Sequence, residues 1–99
     1  MVLIEERTVS RKTPLDGKLE ISAHAAEQLA RLGASFPLRT EGGEGSARLH
    51  AMTCTCTKAA STGQHLHYFV ESDILRALEP GTDVRVELDD ARPGSLSIR

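Results

Sequence analysis

Four side chains that could hold a metal, or pair a nucleophile with a base, lie close together in CTCTKAASTGQHLH, residues 54–67: Cys54 and Cys56, then His65 and His67. Each pair has i, i+2 spacing, which on a β-strand puts both members on one side. If the two segments pair antiparallel about the loop's centre, Cys54 stands opposite His67 and Cys56 opposite His65. Opposed residues have Cβ atoms ~5 Å apart, so two thiolates and two imidazoles would converge. That donor set suits a tetrahedral zinc ion, with Zn–S near ~2.3 Å and Zn–N near ~2.0 Å. The expectation is therefore a Zn site at Cys54, Cys56, His65 and His67. The alternative is a plain hairpin with packed thiols and exposed histidines, since cysteine is often a small buried hydrophobe. Leu49, Ala51, Leu66, Tyr68 and Val70 occupy the opposite face, which makes that face the core side; His50 continues the Cys/His side.

A Cys–His pair is also the minimum for an activated thiol nucleophile. The sequence supplies no orienting acid or pocket for one. Asp89-Asp90 reads as a solvated turn, and Gly42-Gly43-Glu44-Gly45 lies between strands rather than at the start of a helix, so it is no phosphate loop. No catalysis is expected.

The elements that must position these residues are short. The expected strands are 2–9, 18–21 (KLEI), 36–40 (FPLRT), 46–56, 64–70, 83–88 (DVRVEL) and SLSIR at the end. Residues 10–17, SRKTPLDG, read as a loop carrying the basic doublet Arg11-Lys12. Ser22 caps a helix, AHAAEQLARL, that ends near Gly33; Ser72 caps a second, DILRAL, stopped by Glu79-Pro80-Gly81. Residues 19–40 echo 69–88: strand, serine, helix, glycine turn, strand. The fold class is mainly β with two short α-helices, in a seven-stranded open pseudobarrel.

The totals agree with one small domain at 1–99. The chain has 99 residues, 39% hydrophobic and only 3% aromatic, so its core must be aliphatic. The net charge of −2 gives no bulk attraction to nucleic acid, which would need a local basic patch. No run approaches the ~20 apolar residues of a membrane span, and MVLIEERTVSRK does not have the order of a secretory signal. With two cysteines at i, i+2, a poor disulfide geometry, the expected setting is cytoplasmic with reduced thiols.

This order of elements resembles a B3-like DNA-binding pseudobarrel, the fold of plant B3 domains and of restriction-endonuclease effector domains. KLEISAHAAEQLARL matches that family's strand and first helix. FPLRTEGGEGSARLHAM matches its strand–turn–strand, and HYFVESDILRALEPGTDVRVELDD followed by LSIR matches its ending. The stretch L-x-P-G-T-D-V-x-V-x-L, residues 78–88, is shared with the swapped-hairpin AbrB-like transcription factors, the second resemblance, which would make the chain a homodimer. The B3-like resemblance implies a non-catalytic module in transcription regulation, gripping duplex DNA with two arms. By position the first arm is Ser10, Arg11, Lys12 and Thr13, and the second Thr57, Lys58, Ser61, Thr62 and Gln64. The residue types suit DNA contact. Arg and Lys can meet phosphates or guanine, Gln can pair with adenine, and Ser and Thr can bond either target. The other expectation is a metal-binding or protein-interaction module built on the Cys/His hairpin.

Overall fold

The structure is a computed structural model describing residues 2–54, 65–89 and 94–99. Seven strands form one sheet: β1 (Val2–Thr8), β2 (Lys18–Ile21), β3 (Phe36–Thr40), β4 (Gly43–Cys54), β5 (His65–Glu71), β6 (Asp83–Leu88) and β7 (Leu96–Ile98). Their order is β1-β6-β7-β3-β4-β5-β2. The sheet curls into a nearly closed barrel whose one unsealed seam lies between its end strands, β1 and β2. β3 and β7 pair parallel; the other pairings among the described strands are antiparallel.

The core lies inside the barrel and is aliphatic, as the composition requires. Leu19, Leu29, Leu38, Val70, Leu75, Val86, Leu96 and Ile98 are almost wholly buried, and Phe36 is the one aromatic among them. Alternation explains who points inward. In β3 the pattern is Phe36, Leu38 and Thr40 in, Pro37 and Arg39 out. The helix α2 (Ala23–Ala30) buries Ala25, Ala26 and Leu29, one helical face, against β5, β1 and β4.

The expected second helix forms a single 3₁₀ segment, Asp73–Ala77, rather than an α-helix. Ser72 does not cap it; its hydroxyl donates instead to the Ser46 carbonyl at 2.8 Å. The other α-helix, α1 (Lys12–Asp16), falls inside the stretch read as a loop. Pro14 is in its first turn, where the missing N–H costs nothing.

Two glycines are dictated by close approach. Gly17 ends α1 in the left-handed region (φ 68), and a Cβ there would lie 2.9 Å from the Ser72 carbonyl oxygen. A Cβ on Gly45 would lie 2.8 Å from Ile74 Cγ2, so the strand can pass the 3₁₀ segment only as glycine or with Ile74 displaced. In the two segments that echo one another, β2 and β5 pair with each other, Leu19 opposite Val70.

Candidate nucleic-acid interface

The first arm is short and fastened at both ends. At its start, the Val9 N–H donates to the Thr82 carbonyl and the Val9 carbonyl accepts from the Gly81 N–H, each at 2.8 Å. At its end, the Gly17 carbonyl accepts from the Ser72 N–H at 2.8 Å, and Arg76 Nη1 donates to the Leu15 carbonyl at 2.7 Å. Between these anchors Ser10, Arg11 and Lys12 are exposed.

Thr13 is a correction to the expected arm. It is 0% exposed, on the buried side of α1 itself, so its side chain has no access to DNA. Its Oγ1 makes no hydrogen bond among the described residues. Leu15, two residues on, is 71% exposed.

The second arm is the β4–β5 hairpin. Thr57, Lys58, Ser61, Thr62 and Gln64 lie outside the described residues, as does Cys56. The strands leading to them are paired, and their register corrects the expected one. Cys54 is opposite His65, and Met52 is opposite His67; the expected partners were Cys54 with His67. The shift is two residues, so sidedness is kept: Met52, Cys54, His65 and His67 still belong to one side of the ladder. Among the described residues, no three His, Cys, Asp or Glu gather as a metal set. Asp89, expected in a solvated turn, is 8% exposed; Asp90 lies outside the described residues.

The outward side of β2, β5 and β4 can be followed rung by rung. The first rung is Lys18–Glu71–Arg48, the next Glu20–Phe69–His50, then His67–Met52. The opposite rungs are Leu19–Val70–Leu49 and Ile21–Tyr68–Ala51. They enter the core at Leu19, Val70 and Ile21, whereas Ala51 and, further on, Leu66 at 50% are exposed, so the expected core face gives out toward the hairpin's end. On the first outward rung, Nε and Nη2 of Arg48 converge on Glu71 Oε1, and Lys18 Nζ is 3.6 Å from Glu71 Oε2. The Arg48 hydrogen bond, with lesser help from the charges of Arg48, Lys18 and His50, holds the Glu71 carboxyl below the ordinary glutamate value despite some opposing desolvation. Beyond it, His67 Nδ1 lies 2.7 Å from Glu20 Oε2, a diagonal contact between β5 and β2.

The first arm lies against this outward side, and a cleft of about 410 Å³ opens where they meet. Ser10, Lys12 and Asp16 form one wall; Lys18, Glu20, His67, Phe69 and Met52 are among the residues of the other. The structure thus brings the first arm and the base of the second to one place. Two other clefts have about the same volume, 400 Å³ each, so chemistry must choose among them. In one, Arg48 and Arg76 already pair with Glu71 and Asp73. The other is walled by Glu41, Glu79 and Asp83, and its Arg99 already pairs with Glu87. The cleft beside the first arm also carries Asp16 and Glu20, but it alone of the three holds an exposed cation with no ion pair among the described residues, Lys12.

Lys18, Glu20 and Phe69 were not among the expected site residues. Alternation along KLEI does place Lys18 and Glu20 outward, but only the pairing of β2 with β5 sets them beside Phe69 and His67.

Comparison of the chain with protein-family models, with curated proteins and with solved structures found no match.

Proposed function

We propose that the chain is a non-catalytic DNA-binding module of the B3-like kind, taking duplex DNA between the arm at 10–13 and the arm at 57–64. The observation that carries this reading is the state of the cations. Arg7, Lys18, Arg39, Arg48, Arg76, Arg85 and Arg99 each lie within ion-pairing distance of a carboxylate. Arg11 and Lys12 are exposed and form no ion pair among the described residues. An unpaired cation on a fastened segment loses no existing partner when it meets a phosphate, and little of its backbone must be ordered. In this reading Arg11 and Lys12 hold the phosphate backbone. Lys58 adds a phosphate contact from the second arm, whose Ser61, Thr62 and Gln64 reach base edges, in a cytoplasmic regulator of transcription.

The test is a titration of labelled duplexes of varied sequence at low salt, with the wild type and Arg11→Ala/Lys12→Ala. The double variant should bind at least tenfold more weakly at unchanged thermal midpoint. Arg31→Ala serves as control, since Arg31 is likewise exposed and unpaired among the described residues but does not line the cleft. Absence of binding by the wild type to every duplex would sink the reading.

The register supports a second reading. Cys54 and His65 are register partners in the ladder, two residues along from the Met52–His67 pair, so a zinc ion at the base of the second arm would draw on Cys54, His65, His67 and Cys56. About one zinc per chain by elemental analysis, lost in Cys54→Ser, is the expected result for it. Metal-free protein with the same melting temperature in chelator would dispose of it.

A further inference from the structure

The outward side of β2, β5 and β4 holds an aromatic ring in an unusual place for this chain. The sequence contains two Phe, one Tyr and no Trp. Phe36 is in the core at 2% exposed, and Tyr68 packs at the core's margin. Phe69 is directed the other way, lining the cleft and only partly buried. Burying a Phe stabilises a fold, and a chain so poor in aromatics leaves part of that unrealised here.

Its neighbours make the ring more than a stray hydrophobe. His50 stands directly across the ladder from Phe69, and His67 follows two residues along the same strand and side. Three flat rings therefore share one sheet face. Met52 adds an apolar, polarisable side chain next to His67. Around them lie Lys12, unpaired among the described residues, and Lys18, which already meets Glu71; Asp16 shares the wall with Lys12, and Glu20 stands opposite Phe69 on β2. Aromatic rings on a sheet surface flanked by cations are the means by which proteins hold unstacked nucleobases: the rings stack on bases and the cations meet the phosphates between them. Glu20, whose Oε2 lies 2.7 Å from His67 Nδ1, keeps Oε1 as an acceptor for an exocyclic amine.

We propose that this face is a stacking platform for unpaired nucleotides, with Phe69 at its centre and Lys12 receiving an adjoining phosphate. The inference rests on the reading of the cleft as a nucleic-acid site and narrows it. The site takes bases that are out of a duplex stack, whether from a single strand of DNA, from one of RNA, or from a nucleotide extruded from a duplex.

The experiment measures affinity for labelled oligo-dT, oligo-rU, a matched duplex and the same duplex with one unpaired thymidine. Wild type, Phe69→Leu and Phe69→Tyr are compared at one salt concentration. Phe69→Leu keeps an apolar side chain of similar size and removes the ring; Phe69→Tyr keeps the ring. The expected result is a loss of about tenfold or more for Phe69→Leu on at least one unpaired probe, restored in Phe69→Tyr. The ratio among the unpaired probes then names the source of the base. Equal affinity of Phe69→Leu and wild type, at matched thermal midpoint, overturns the platform. So does wild-type binding to matched duplex with none to either single strand and no tighter binding to the duplex carrying the unpaired thymidine, and that outcome leaves the duplex reading standing. If no probe binds, both readings fall together.

Discussion

Thr13 and Glu71 show how single side chains report on the arm and the face beside it. A buried hydroxyl without a hydrogen-bond partner costs about 1–3 kcal/mol, whereas an apolar group of the same shape in its place costs nothing of the kind. Thr13 is 0% exposed with Oγ1 unpartnered among the described residues. Thr13→Val should therefore raise stability by about 1 kcal/mol, or roughly 4 °C or more in thermal midpoint for a domain of this size. A lower midpoint would mean that the hydroxyl has a partner after all. Glu71 gives a pH dependence. Its carboxyl is held below the ordinary glutamate value, chiefly by the Arg48 hydrogen bond. A carboxyl whose folded-state value is depressed binds fewer protons folded than unfolded. Its contribution is thus complete above the unfolded value, about 4.3, and is lost as pH falls through the folded one. The stability difference between wild type and Glu71→Gln should be constant at neutral pH and shrink below about pH 4. A difference that grows on acidification would contradict the assignment. The group is partly in solvent and paired on the surface, so the effect is small and weakens with salt.

At the scale of elements, the telling feature is the seam between β1 and β2, which no ladder closes among the described residues. Glu5 on β1 spans it. Its carboxylate accepts from both the backbone N–H of Ser22, at 3.1 Å, and the Ser22 hydroxyl. The same Ser22 Oγ accepts from the Ala25 N–H at 3.1 Å, capping α2. One serine thus ties the helix start to the strand across the gap. Removing an N-cap serine costs ~1 kcal/mol, and removing Glu5 should cost a similar amount. Because the two act through one network, the double variant should lose about 0.5 kcal/mol or more less than the sum of the singles in denaturant unfolding. Strict additivity would show that the seam is not held there. The cap was legible in the sequence, because serine followed by an amphipathic run is a local signal. Glu5 was not, since its partner is 17 residues away and nothing local marks it. The same distinction explains the hairpin. Alternation placed Cys54, His65 and His67 on one side, as the ladder does, yet it could not supply the register. Sliding one strand by two residues leaves every side chain on its face, so the pattern is blind to the difference between Cys54–His67 and Cys54–His65. For α1, Thr-Pro-Leu-Asp-Gly reads as a turn and only its anchoring to the 3₁₀ segment makes a helix of it; Ser72 likewise spends its hydroxyl on Ser46, a partner far along the chain.

For the molecule as a whole, a net charge of −2 makes any grip on DNA a local matter. The acids of the cleft walled by Glu41, Glu79 and Asp83, and those paired with most of the described cations, leave no broad basic field to steer a duplex from a distance. Affinity must come from a few cations at contact, and this fixes the salt dependence. Each phosphate neutralised contributes about −0.9 to the slope of log K against log salt. With Arg11, Lys12 and Lys58 engaged, the slope should be about −2.7, shallow for a DNA-binding domain, and Arg11→Ala/Lys12→Ala should bring it to about −0.9. Arg31→Ala, away from the cleft, should leave it unchanged. A slope of about −6 or steeper would mean that many more phosphates are met than the two arms can reach, and would move the interface elsewhere on the surface. A shallow slope with measurable affinity has a further consequence. The binding energy that salt does not touch must then come from contacts other than phosphate pairing, and on this surface the rings of Phe69, His50 and His67 are the groups placed to supply it.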